Sequence, residues 1–251
     1  MGSPEKFIYN TVTQVAEELD IAQSTVTRFC RSIGLRGFQE LKIRLAQDLE
    51  RSSSTGEEPG EAGLPKKMAQ LAADSVLEAA SSIDLDALER TLPLLVSARR
   101  IVIFGLGESG PMAQLLKIKL MGLGLTVDAQ ADIHLQSIAA AHLDAGDVAI
   151  GISQQGSTKD IVAALQAARQ AGAKTICVTS HGKSPITEVS DIRLVCVSRG
   201  MSSIVESFRS KASMLYAIEL LTVSLTLYLS GAAESEQKLW RTTESILDKL
   251  Y

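Results

Sequence analysis

The sequence predicts two folded units: a doubly wound α/β domain built on a five-stranded parallel sheet, and a small all-α domain ahead of it. Three observations carry that reading. Beyond residue 65, short near-continuous apolar runs alternate with helix-patterned stretches, as expected of parallel strands covered on both faces. Before residue 51 the apolar spacing is helical throughout. Between them, Arg51 to Pro65 (RSSSTGEEPGEAGLP) holds Ser, Gly, Glu and Pro with almost nothing to bury, which marks a linker. The units are therefore residues 1–50, a linker 51–65, and 66–251.

The larger unit reads in order. Helices are predicted over Lys66–Ile83 and Leu85–Ser97, then a β-branched strand Arg100–Gly105 ended by glycines and a helix Gly110–Gly122. Strand Leu125–Ala129 and helix His134–His142 follow, then strand Asp147–Ser153 and helix Thr158–Ala171. Strands Lys174–Thr179 and Ile192–Val197 complete the sheet, and two long helices, Glu206–Leu229 and Glu234–Leu250, close the chain. Right-handed crossovers in such a series bring the C-terminal ends of all strands to one edge of the sheet.

Composition narrows the function classes. The 251 residues are 45% hydrophobic and 22% charged, which excludes a disordered tail or a fibre. Cys30, Cys177 and Cys196 are too far apart for a disulfide framework and read as buried thiols of a reducing cytoplasm. Together with three His they show no metal-ligand spacing, so no metal is expected. Aromatics at 4% leave no stacking platform for single strands. Met1 to Lys6 shows neither a secretory signal nor a myristoylation signal. Ala212 to Ser230 is apolar apart from Glu219 and several hydroxyls; a mid-span carboxylate is costly in lipid, so this reads as a core or interface helix. No membrane partner is expected.

In the first unit, Val12, Val15, Ala16 and Leu19 share one helical face, Asp20 breaks the helix, and Val26, Phe29 and Ile33 form the inner face of a second helix. A small residue at the crossing, a turn residue that tolerates the left-handed region, and apolar plugs on the second helix are what a helix-turn-helix needs. The predicted core is Val15, Leu19, Val26, Phe29, Phe38 and Leu41. On the outer face of the second helix stand Gln23, Ser24, Thr25, Thr27, Arg28 and Arg31, groups suited to phosphates and base edges of double-stranded DNA. From Ser24 to Arg44 five cations (Arg28, Arg31, Arg36, Lys42, Arg44) oppose Glu40, a local +4 inside a chain of formal net charge −4. Arg36 and Lys42 join the expected DNA-contacting set; the plainer alternative is a solvated helical face.

The run from Thr25-Val-Thr-Arg-Phe-Cys30-Arg through Gly34, Gly37, Phe38, Glu40, Leu41 and Lys42 resembles the helix-turn-helix of the RpiR family of bacterial regulators, and the resemblance continues over nearly the whole chain. It implies a DNA-binding head on a sugar isomerase (SIS) domain of flavodoxin-like fold. Members of that family usually carry a further helical stretch ahead of Thr11, so the first unit reads as shortened at its start, by a late start or a cloning scar at Met1-Gly2-Ser3.

Two loops carry the anion-binding signal. Ile101 to Gly110 runs strand, glycine turn, helix start, with Gly107 and Ser109 in the turn; it lacks the third glycine and the acidic residue of a dinucleotide site, and no Walker lysine is present, so no cofactor is expected. In Asp147 to Ile161, Ser153, Gln155, Ser157 and Thr158 gather donors around Gly156 at a helix N-terminus. This loop resembles the S-x-S-G-x-T loop of SIS domains, which bind phosphosugars: Ser153, Gly156 and Thr158 agree, and Gln155 stands where the family has its middle Ser. Helix capping is the competing reading of Ser157 and Thr158. Thr179 to Pro185 and Asp191 complete the SIS pattern, with a helix restarting at Ser184-Pro185.

An aldose–ketose isomerase needs a base. Glu108, His134, His181 and Glu206 are the candidates: Glu108 lies beside the expected phosphate, and His134 follows Asp132 where capping suffices. The resemblance implies that Glu206 belongs to the phosphosugar site, a comparable Glu being the base in several SIS enzymes. A fused DNA-binding head makes a sensor the more economical account, with no catalytic residue. The expectation is a cytoplasmic regulator of sugar-metabolism genes, most economically a repressor, acting as a homodimer or homotetramer on a DNA operator with a phosphosugar effector; the alternative is a sugar-phosphate isomerase with a helical assembly module.

Overall fold

The structure, a computed structural model, describes residues 7–8, 10–53, 63–197 and 203–230; the side chains of 46–53 and 203–206 lie outside that description, as does the helix expected over Glu234–Leu250. The head contains α1 (Val12–Glu18), α2 (Gln23–Ser32) and α3 (Phe38–Ser53). Thr11 starts α1 with a capping box: its hydroxyl accepts from the Gln14 N–H, and the Gln14 side chain accepts from the Thr11 N–H. The turn falls on Asp20, whose φ of 52° lies in the left-handed region that a short polar residue tolerates. The Ile21 N–H then closes back on the Ala16 carbonyl at 2.9 Å.

The head's core differs from the expectation. Val15, Ala16, Val26, Cys30 and Leu35 are buried, but Leu19 is 49% exposed, Phe29 56% and Ile33 50%. The inner stripe of α2 runs through Val26 and Cys30, one helical turn apart. Phe29 and Ile33 therefore stand on the neighbouring stripe and face outward. Phe38 is held edge-on against Phe7 at 5.7 Å.

The larger domain follows as α4 (Leu64–Ser82), α5 (Leu85–Ser97), β1 (Ile101–Gly105), α6 (Ser109–Gly122), β2 (Val127–Ala129), α7 (Ile133–Ala141), β3 (Val148–Ile152), α8 (Lys159–Gln170), β4 (Lys174–Thr179), α9 (Pro185–Glu188), β5 (Ile192–Val195) and α10 (Ser203–Ser230). Helix α3 runs three residues into the expected linker. Helix α4 begins two residues earlier than its predicted start, with Pro65 in the first turn, where a missing N–H costs nothing.

The five strands are parallel in the order β2-β1-β3-β4-β5. Every residue of β1 and β3 is buried, and alternate residues feed two cores. On one face Ile101, Ile103, Ile150 and Ile176 pack with α4, α5, α6 and α10; on the other Val102, Phe104, Ala149 and Cys177 pack with α7 and α8. Burial pushes the Cys177 thiol up to about 11 and Cys196 to about 12, so both stay protonated. From Ser207 to Ser230, α10 is long and apolar enough to cross a bilayer by composition alone, yet Met214, Ala217, Ile218, Leu221 and Leu225 are buried in the first core.

At the edge of the sheet where strands begin, Asp147 is fully buried between Arg99 and Arg100, at 2.9 and 3.2 Å. At the opposite edge all strand ends converge, and the order reverses between β1 and β3. A reversal of that kind is where doubly wound sheets take up ligands, beyond the carboxyl ends of the strands.

Candidate anion crevice and DNA-binding face

Register places Gly105 beside Ile152, so the β1–α6 and β3–α8 loops leave the sheet as neighbours. Close packing explains Gly105: a Cβ there would meet the Ser109 carbonyl at 2.6 Å. Gly107 has a φ of +56°, and Ser109, buried, opens α6. Buried Gln136 braces this side by donating to the Gly105 and Gln130 carbonyls.

On the second loop Ser153 is 2% exposed and its hydroxyl lies 3.0 Å from the Thr158 hydroxyl. Thr158 holds the N-cap position of α8, but its side chain makes no capping hydrogen bond. Its hydroxyl is turned to Ser153 instead. Two hydroxyls thus sit side by side at a twelve-residue helix whose first N–H groups favour an anion. Gly156 permits the loop's path: φ is +65°, and a Cβ would fall 2.1 Å from the Ser184 Oγ. The following loop locks it further. The Gln154 carbonyl accepts from the Ser180 N–H and the Thr179 hydroxyl, and the Ile186 N–H donates to the Gly156 carbonyl. Ser157 is exposed at the rim.

From the other side α10 reaches the first loop. Lys211 pairs with Glu108 at 2.6 Å and Ser207 donates to the same carboxylate, which these contacts hold below the usual carboxylate range. Glu108 therefore meets the crevice as half of an ion pair. The side chain of Glu206 lies outside the described residues. Asp132 caps α7 through the His134 and Leu135 N–H groups, as its position suggested. Among the described residues no group of three or more His, Cys, Asp or Glu side chains is disposed to hold a metal.

Of the expected DNA-contacting residues, Ser24, Arg28, Arg31 and Arg36 are exposed and Thr25 is half-buried. Gln23 reaches back to the Thr13 hydroxyl, and Thr27 donates to the Gln23 carbonyl. Lys42 departs from the expectation. It is 3% exposed, and its ammonium lies 3.4 Å from the Gln155 Oε1 on the β3–α8 loop. Docking of α3 against the larger domain turns it inward, where it cannot meet a duplex. The head is tied down at two more points: the Thr11 hydroxyl donates to the Lys183 carbonyl at 2.6 Å, and Lys183 pairs with Glu17 at 2.9 Å. These partners are 172 and 166 positions apart, and no periodicity or motif joins them.

Comparison with known proteins agrees with this architecture. A helix-turn-helix domain of the rpiR family matches residues 1–52 and a SIS domain matches residues 94–224. An uncharacterized HTH-type transcriptional regulator of Haemophilus influenzae is 32% identical over 95% of this chain and 86% of its own length. The HTH-type transcriptional regulator HexR of Pseudomonas aeruginosa is 29% identical over 100% of this chain and 89% of its own. The solved structure of the Vibrio vulnificus NanR protein complexed with ManNAc-6P superposes with a TM-score of 0.84 at 25% identity, covering 98% of this chain and 88% of that one.

Proposed function

Since the chain belongs to the RpiR family of helix-turn-helix transcriptional regulators with a SIS domain, we propose that its DNA affinity is set by a phosphosugar whose phosphate sits on the Ser153–Thr158 loop. The observation that carries this reading is the Ser153–Thr158 hydroxyl pair, with Thr158 withdrawn from helix capping and placed at the start of α8. The phosphate accepts from these hydroxyls and from the first amides of α8, while Gly107 and Ser109 on the neighbouring loop contact the same ligand, with Gln155, Gly156 and Ser157 shaping the cradle and Glu206 belonging to the same site. The phosphosugar named for the Vibrio NanR complex supports the ligand class.

The head, through Arg28, Arg31 and their neighbours, binds a DNA operator as one half of a symmetric pair. The exposed apolar residues Leu215, Val223, Leu227 and Tyr228 of α10 supply a surface for that pairing, as a homodimer or homotetramer. The place of action is the cytoplasm, where the DNA is, and repression is the economical sign of control.

Thermal melts with a panel of hexose and pentose phosphates test the reading. One phosphosugar raises the melting temperature while its unphosphorylated parent does not; saturation at a hundred times the dissociation constant adds about 2.7 kcal/mol. Ser153→Ala and Thr158→Val lose roughly ten- to a hundredfold in affinity, because charge-assisted hydrogen bonds contribute about 1.5–3 kcal/mol each. An unaltered response in both variants puts the phosphate elsewhere. The sensor also leaves the sugar unconverted when equimolar protein and phosphosugar are followed by NMR over hours; an isomer that forms, and is lost in Glu206→Gln, makes the protein an isomerase.

A further inference from the structure

Gln23, Thr27 and Arg31 stand four residues apart on the recognition helix α2, so the three share one flank. That flank runs along the sugar domain. Gln23 borders a cleft together with Glu188 of α9, and Thr27 and Arg31 border a second cleft together with Ser157 and Lys159 at the start of α8. Ser24 and Arg28, on the next stripe of the helix, stay exposed. The helix is thus backed by the larger domain on one side and open to solvent along the stripe of Ser24 and Arg28.

A helix seated in the major groove, about 12 Å wide, has a phosphate strand along each side. With Ser24 and Arg28 toward the bases, one strand follows the Gln23–Arg31 flank and passes between α2 and the sugar domain. The two clefts on that flank differ in sign. Beside the start of α2, a cleft of about 600 Å³ is bordered by Glu17, Asp20 and Glu188, and by no Lys or Arg among the described residues. Lys183 pairs with Glu17, which still leaves two carboxylates to repel a phosphate. Further along α2, a cleft of about 580 Å³ is bordered by Arg31 and Arg36 of the head and Lys159 of the sugar domain, with the hydroxyls of Thr27 and Ser157. Glu40 also borders it, but its carboxylate already accepts from the Arg36 N–H at 2.7 Å and pairs with Arg44 at 3.0 Å. Cations gathered around one space repel each other, and an anion between them relieves that repulsion. Charge therefore places the strand in the second cleft.

Resting on the reading of α2 as the operator-binding helix, we propose that the sugar domain itself contacts the operator. Lys159 binds a phosphate of the strand that runs beside α2, in the cleft it shares with Arg31 and Arg36. The DNA interface then spans both domains. A phosphate contact carries no sequence information, but it fixes the register and orientation of a protein on the duplex. Supplied from α8, it fixes them relative to the sugar domain. Lys159 directly follows Thr158, so the loop proposed to hold the effector and the operator strand meet at adjacent residues.

The test is fluorescence anisotropy of the full chain with two duplexes of about 30 base pairs, long enough for two half-sites. One is selected by the parent protein from a random pool and the other has its sequence scrambled; both are titrated between about 50 and 200 mM potassium chloride. Lys159→Gln, at an exposed position, is expected to melt like the parent. It weakens both duplexes by the same factor, about three- to tenfold, and lowers the salt slope by about one. Lys159→Arg keeps the charge and binds like the parent. Lys174→Gln, which removes an exposed cation at the opposite edge of the sheet, also binds like the parent. Ethylation interference shows a phosphate whose modification hinders the parent but no longer matters to Lys159→Gln. Binding of Lys159→Gln within about twofold of the parent at an unchanged salt slope overturns the inference. So does tighter binding, which makes the sugar domain an obstacle to the strand, a loss confined to the selected duplex, or an equal loss in Lys174→Gln. Each of these leaves the proposed function standing as long as the double variant Arg28→Ala, Arg31→Ala loses DNA. If the parent binds neither duplex, or that double variant binds like the parent, α2 is not the reader, and the proposed role of the head falls together with that of Lys159.

Discussion

The two units solve the problem of burial differently. In the sugar domain, β1 and β3 are buried at every position and feed two cores closed by helices on both faces. In the head, three short helices bury Val15, Ala16 and Val26 together, while Leu19, Ile21, Phe29 and Ile33 stay 39–56% exposed. A unit of this size lacks the volume to close its own core. Among the described residues, polar contacts from Thr11, Glu17 and Lys42 join it to the sugar domain. Polar interfaces of that kind release readily. A rigid sensor holding a loosely finished reader is what this difference provides.

The largest expected effect is in the sensor's core. Ile150→Ala, at a position with no exposed surface, is expected to cost about 2–5 kcal/mol in urea unfolding. A loss under about 1 kcal/mol would contradict the tight packing ascribed to that domain. Next comes the reader's chemistry. Arg28→Ala is expected to weaken operator binding by about 1–3 kcal/mol if it meets a base edge, or to lower affinity uniformly with a shallower salt slope if it meets phosphate. The double variant Arg28→Ala, Arg31→Ala binding DNA like the parent would remove α2 from the interface.

A smaller effect separates the units by pH. Burial raises the Asp147 pKa, but hydrogen bonds from Arg99, the Asp144 N–H and Arg100 outweigh it and hold the carboxyl below its ordinary value. With the folded value below the unfolded one of about 3.9, this group stabilises the sugar domain above that pH. The contribution is lost as pH falls through the lower, folded value. Asp147→Asn should therefore flatten the acid limb of stability below about pH 4 and leave the head's acid response unchanged. Urea midpoints across acidic pH, with separate probes for the two units, check this. The smallest effect belongs to Phe29, where Phe29→Ser is expected to stay within about 0.5 kcal/mol of the parent. A loss of 2 kcal/mol or more at high protein concentration that vanishes on dilution would show a second copy covering that face.

Periodicity made much of this legible. The five strands, their order in the chain and the turn at Asp20 follow from patterns that repeat within a few residues. Ser153, Gly156 and Thr158, proposed above to hold a phosphate, stand out in the sequence by their donors ahead of a helix and by the resemblance to the SIS loop, while the 3.0 Å contact between the two hydroxyls is visible only in the fold. Where local reading failed, the competing term was tertiary. Phe29 has the right spacing for a plug, but the inward stripe of α2 passes through Cys30. Lys42 belongs to a basic run that looks solvated until α3 docks. Thr158 sits where a cap should be, yet its hydroxyl turns to Ser153.

By itself the sequence determined the helical N-terminal region, the parallel doubly wound sheet, and the positions of the basic helix and of the loop proposed to hold the anion. Each depends on the local period of apolar residues or on backbone freedom at one glycine. Only the tertiary structure decided which hydroxyls pair, that Ser184 fills the space beside Gly156, that Lys211 neutralises Glu108, and that Lys42 leaves the DNA face for Gln155. Those contacts join side chains far apart in the chain. Long polar side chains reach for whatever the packed elements place beside them, and that placement is a property of the assembled fold, written in no single segment.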